Sequence, residues 1–94
     1  MRVELEFEWD QSKELENLRK HGVLFSDAAM ALSDPGCRTV SDPDASGEQR
    51  LISVGADLGG RVLVTVFTPR GSMIRIISSR KASPAERRWY EGES

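Results

Sequence analysis

The sequence predicts an α+β domain: a small, mostly antiparallel sheet with two N-terminal helices and one C-terminal helix packed on it, in the order β-α-α-β-β-β-β-α. Three observations lead there. The stretch 3-VELEFEW-9 alternates apolar and acidic residues with period 2, the signature of a strand with one buried face. From residue 38 to 79, β-rich segments follow one another across short polar breaks, so neighbouring strands join as hairpins. Helix-capping residues bracket the segments on either side of that run.

The elements follow in chain order. The three glutamates of the first strand, Glu4, Glu6 and Glu8, would discourage edge-to-edge pairing at a sheet edge. Asp10 is an N-cap for a helix over 11–21 with Leu15 and Leu18 on its inner face, and Gly22 is a left-handed C-cap. Val23 and Phe25 then pack back onto the core. A shorter helix over 27–32 starts from Ser26 and ends before the turn 34-DPG-36. Strands are expected over 38–41, 50–56, 61–68 and 73–79, with 42-DPDASGE-48 a polar loop and 57-DLGG-60 and 69-PRGS-72 as turns. Gly47, Gly55, Gly59, Gly60 and Gly71 read as turn glycines. The run 62-VLVTVF-67 is apolar on both faces, which places it centrally. The last helix, over 84–91, has Ser83 as N-cap, Pro84 in its first turn and Glu86 completing a capping box.

A chain of 94 residues, 38% hydrophobic and 30% charged, is expected to form a single domain over 1–94. It has no apolar run long enough to span a bilayer, and the acidic, alternating start 1-MRVELEFEWD-10 is unlike a signal peptide. Its one cysteine, Cys37, excludes an internal disulfide and fits a reducing cytoplasm. The net charge of −2 conceals an asymmetry. Residues 1–60 set six cations against twelve carboxylates, whereas residues 61–88 set seven cations against Glu86 alone. A polyanionic partner is therefore compatible with an acidic chain.

One histidine and one cysteine offer no metal-ligand spacing, and no glycine-rich phosphate loop or serine-nucleophile motif is present, so no cofactor is expected. What remains is proton-transfer chemistry on a phosphodiester. RNA supplies its own nucleophile, so a protein need only hold the phosphate, neutralise its charge and move protons. His21 suits proton transfer, since histidine exchanges protons near neutrality. Arg75 interrupts the apolar strand 73–79, in which Ile74, Ile76 and Ser78 face one way and Arg75, Ile77 and Ser79 the other. With Lys20, Arg80, Lys81, Arg87 and Arg88 it can build a phosphate pocket. The alternatives stand beside this: His21 as a helix-end cation, Arg75 paired with a glutamate of the first strand, and Arg87 and Arg88 as a solvated helix face.

The combination of 7-FEWD-10, Lys13, 17-NLRKHGVLF-25, Ala28, Ala29, 75-RIISSRKAS-83 and 86-ERRWYE-91 resembles the BrnT toxins of bacterial type II toxin–antitoxin systems, from about residue 6 to 91. The resemblance implies a RelE-like fold and a metal-independent ribonuclease that arrests growth. It also implies a cognate antitoxin with a ribbon-helix-helix DNA-binding region, which neutralises the toxin and gives it indirect access to DNA. Its motifs fall on Lys20, His21 and Gly22, on Arg75, Arg80 and Lys81, and on the last helix, where Tyr90 would sit beside the cleft; either Trp89 or Tyr90 is an aromatic on which a base could stack. Leu32 and Trp89 depart from residues common in the family. The expected site is thus His21, Arg75 and Arg80 for catalysis, with Lys20, Lys81, Arg87 and Tyr90 for RNA or phosphate binding. Two rival functions are a non-catalytic module that pairs with its antitoxin and contributes to operator binding, and a stand-alone nucleic-acid regulator.

Overall fold

The computed structural model describes residues 5–44 and 47–92. Its elements are β1 (Glu6–Glu8), α1 (Gln11–His21), α2 (Phe25–Leu32), β2 (Arg38–Ser41), β3 (Leu51–Ala56), β4 (Val62–Arg70), β5 (Met73–Lys81) and α3 (Pro84–Tyr90). They form the expected α+β arrangement, with a five-stranded sheet in the order β1-β5-β4-β3-β2. β2 to β5 pair antiparallel, and β4 is central as its two apolar faces require. β1 lies at an edge and pairs parallel with β5, because the chain crosses the sheet through α1 and α2 before β2 begins at the opposite edge. It is shorter than the alternation suggested: Leu5 is exposed and outside the strand, and Val3 and Glu4 lie outside the described residues.

The core lies between the sheet and α2. Phe25, Ala28, Ala29 and Leu32 pack on Phe67 and Ile76, with Phe7, Trp9, Leu51 and Ile74 at the margin. Trp9 meets Phe25 edge to face at 6.2 Å. Gly55 is a buried strand residue, not a turn glycine: a Cβ there would stand 2.4 Å from the Ala31 carbonyl oxygen, so its absence lets α2 ride directly on β3.

Helix ends follow local chemistry. The Asp10 carboxylate accepts the Ser12 and Lys13 amides at 2.8 and 3.1 Å, and Gly22 closes α1 at φ +70°. α2 starts at Phe25, two residues before the expected position, and Ser26 does not cap it. The Phe25 amide instead donates to Glu14 Oε2 at 2.9 Å, so a carboxylate from the preceding helix serves the amide at the helix start. Leu15 and Leu18 are not inner residues; they are 60% and 39% exposed. α1 docks against β5 through a narrow polar stripe centred on Asn17, which is 6% exposed, and its leucines point away.

A register shift at Val66/Phe67 reorients β5. Phe67 pairs with Ile76 and Val66 with Ser78, which leaves Ile77 unopposed as a bulge. Strict alternation therefore fails there. Ile76 faces α2 before the bulge, and Ser79, bonded to Thr65, does so after it. Arg75, Ser78 and Arg80 consequently share the opposite face.

Candidate active site

Asn17 joins the two halves of the site. Its amide nitrogen donates to the Val23 and Ser79 carbonyls at 3.0 and 2.8 Å, and its oxygen accepts the Ser79 amide at 3.0 Å. β1 covers only residues 73–75 of the β5 edge. Farther along, the Asn17 side chain pairs with Ser79 as a neighbouring strand would. This fixes the end of α1, which carries Lys20 and His21, against the end of β5, which carries Ser78 and Arg80. Arg61 adds a second tie, donating to the Gly22 carbonyl at 3.3 Å while bound to Asp57 and Asp27 at 2.9 and 3.2 Å.

On the sheet face opposite α2 lies an open depression of about 390 Å³. Ile52, Val64 and Val66 form its floor; His21, Ser78, Arg80 and Glu86 contribute its polar groups. His21 and Ser78 also border a smaller cavity of about 230 Å³ with Lys13 and Lys20. Lys20 pairs with Glu16 at 3.3 Å. Residues 59 apart in sequence, His21 and Arg80, therefore wall one concavity, where an imidazole can move a proton and a guanidinium can stabilise an oxyanion.

Arg80 is held as a two-pronged pair, its Nη1 and Nη2 donating to the two carboxylate oxygens of Glu86 at 2.8 and 2.9 Å. Glu86 Oε1 also accepts the Ser83 amide at 2.8 Å, the return bond of the expected capping box. The Arg80 hydrogen bonds above all, with the Ser83 amide, hold the Glu86 carboxyl down to about 2. Arg80 is shifted upward by the same bonds.

The other expected site residues lie elsewhere. Arg75 is in the paired alternative: its Nη1 donates to Glu8 Oε2 at 3.0 Å, across the β1–β5 register. Five residues, roughly 16 Å of strand, separate it from Arg80. Lys81 and Arg87 line a different cavity of about 330 Å³ with Arg61. Tyr90 gives its hydroxyl to Asp34, whose carboxylate also accepts the Ala56 and Gly36 amides. These bonds lower Asp34, the Ala56 amide most, and Tyr90 is raised chiefly by its bond to Asp34. Trp89 lies under the Arg38 guanidinium at 5.5 Å, so that cation occupies its ring face.

Glu86, Ser78 and Asn17 were not singled out from the sequence. Glu86 has a sufficient local explanation in the capping box, and nothing local distinguishes Asn17 from the other polar residues of α1. Ser78 reached this face through the bulge. Among the described residues, no three His, Cys, Asp or Glu side chains are grouped to hold a metal ion, and no helix is long and apolar enough to cross a membrane.

Comparison with known proteins adds two findings. Residues 9–86 match the family model described as the ribonuclease toxin BrnT of type II toxin–antitoxin systems. The 1.1 Å crystal structure of the Brucella abortus ribonuclease toxin BrnT superposes with a TM-score of 0.62 and 30% sequence identity, covering 85% of this chain and 99% of that one. The two share this α+β architecture, for which RelE-like is a loose label. No curated protein matches the chain.

Proposed function

The chain belongs to the BrnT family of ribonuclease toxins of type II toxin–antitoxin systems, and from that premise we propose a metal-independent endoribonuclease whose centre is the His21–Arg80 depression. An antitoxin protein is its partner by family. In this reading the antitoxin is a cognate ribbon-helix-helix protein that blocks the depression, and the toxin acts on cytoplasmic RNA to arrest growth.

The observation that carries the reading is the convergence of His21 and Arg80 on one open concavity. A strand of RNA lies across the apolar floor with its scissile phosphate at Arg80. The ribose 2′-OH attacks phosphorus as His21 accepts its proton, Arg80 stabilises the negative charge of the five-coordinate transition state, and the 5′-oxygen leaves. The products are a 2′,3′-cyclic phosphate and a 5′-hydroxyl, with His21 returning its proton to the leaving oxygen. Lys20, beside His21, attracts the backbone. Arg75, tied to Glu8, is assigned to holding β1 on β5, and Tyr90 to holding α3 on the Asp34 turn.

The double substitution His21→Ala/Arg80→Ala is expected to abolish RNA cleavage and growth arrest while far-ultraviolet circular dichroism stays unchanged. Cleavage at the wild-type rate by that purified variant would remove this centre from consideration. The bidentate Arg80–Glu86 pair favours one rival, a binding module with its arginine occupied. Inducing the chain without its antitoxin separates the two: growth arrest with loss of RNA integrity fits the enzyme, and normal growth fits the module.

A further inference from the structure

At the β5–α3 junction, consecutive residues divide between two concavities. Arg80 and Glu86 border the depression already described, whereas Lys81 and Arg87 border the cavity of about 330 Å³ on the other side of the strand end. Arg61 forms part of its wall, but Asp57 and Asp27 already compensate that charge. Gly59 and Gly60 bring bare backbone to its lining.

What sets these two cations together is the cavity they share. Among the described residues, the ion pairs take up Lys20, Arg50, Arg61, Arg75 and Arg80; of the cations left without a carboxylate within 4.0 Å, Lys81 and Arg87 are two that line one cavity together. An anion bound in that cavity meets both positive charges at once. A guanidinium fork beside a mobile ammonium suits a phosphate.

We propose that this cavity is a second phosphate subsite, in which Lys81 and Arg87 hold a backbone phosphate flanking the one at Arg80. The inference rests on the RNA-cleaving function proposed above and adds a consequence: the strand rounds the end of β5, so cleavage efficiency depends on substrate length. A dinucleotide fills the catalytic depression alone, and a hexanucleotide reaches both cavities.

The test compares Lys81→Ala/Arg87→Ala with the wild type on a dinucleotide and a hexanucleotide RNA. Loss of the charged contacts is expected to raise KM roughly tenfold on the hexanucleotide, with kcat little changed and a much smaller effect on the dinucleotide. In parallel, a hexanucleotide carrying 2′-deoxyriboses throughout, which cannot be cleaved, should bind the variant with a salt slope shallower by about 0.7, one phosphate's worth for a single strand. Arg70→Ala removes one charge at the far end of β4 and should show no length dependence. Equal losses on both substrates, or an unchanged salt slope, would overturn the subsite. Retained hexanucleotide binding with loss of antitoxin binding would overturn it too, assigning the cavity to the protein partner. If the wild type cleaves neither substrate, the ribonuclease reading fails by itself, and the deoxy-oligonucleotide slope still decides the subsite.

Discussion

Replacing Asn17 with alanine removes the side chain that holds α1 to β5. Three buried hydrogen bonds disappear, and the Ser79 amide, the Ser79 carbonyl and the Val23 carbonyl lose that partner. A buried polar group left unsatisfied costs about 1–3 kcal/mol. Water will reach some of the three through the adjoining cavity, which Asn17 itself borders, so a total of about 3–4 kcal/mol is expected. That is a large part of the roughly 5–15 kcal/mol available to a domain of this size. At about 4–8 °C per kcal/mol, melting should fall by about 12–32 °C. Thermal and urea unfolding by circular dichroism measure both quantities. Asn17→Asp separates hydrogen bonding from volume, since its carboxylate accepts the Ser79 amide but faces two carbonyls without a proton to donate. Its folded-state pKa would be raised, so its stability should recover as the pH falls and the carboxyl gains a proton. A loss under about 1 kcal/mol for Asn17→Ala would show that α1 is held by other contacts and refute the reasoning.

Three further outcomes follow from the same geometry. The Glu86 carboxyl, held down to about 2, contributes stability that is complete above its unfolded value and is lost as the pH falls through the range from about 4.5 to 2. Arg80 and Glu86 are both partly exposed, so screening leaves about 1 kcal/mol of that contribution, and Glu86→Gln should flatten this segment of an acid-unfolding curve. Gly55→Ala drives a methyl into the Ala31 carbonyl and should cost at least about 2 kcal/mol in denaturant unfolding; a neutral result would mean that α2 lifts freely from β3. Arg75→Met should lower stability by under about 1 kcal/mol and leave RNA cleavage within a few-fold. A hundredfold fall in kcat would instead return Arg75 to the catalytic set.

Where the signal was local, the sequence was legible. α1 and α3 begin and end almost where Asp10, Gly22 and the Ser83–Glu86 box place them, because a cap is a short-range hydrogen bond among neighbouring residues. The centrality of β4 followed from its two apolar faces. Long-range satisfaction was hidden: Glu14 serves the Phe25 amide, Gly55 yields to α2, and Leu15 and Leu18 remain outside because a polar residue does the docking. The candidate site was half legible. His21 and Arg80 stood out as reactive types, but the bulge at Ile77 decides which side chains share a face, and it leaves no mark in the hydrophobic period.

The contacts that complete the candidate site also set when it can form. Glu8 meets Arg75, Asn17 meets Ser79 and Asp34 meets Tyr90, pairs separated by 67, 62 and 56 residues. Such high contact order makes closure of the sheet a late folding event. During synthesis the segment bearing His21 leaves the ribosome well before the strand bearing Arg80, and α1 waits without its docking edge until β5 follows. Until β5 is made, a nascent chain therefore lacks the Arg80 wall of the proposed centre. In the proposed function the depression closes only once β5 has left the ribosome, which leaves an interval in which a protein partner can bind before RNA is cut.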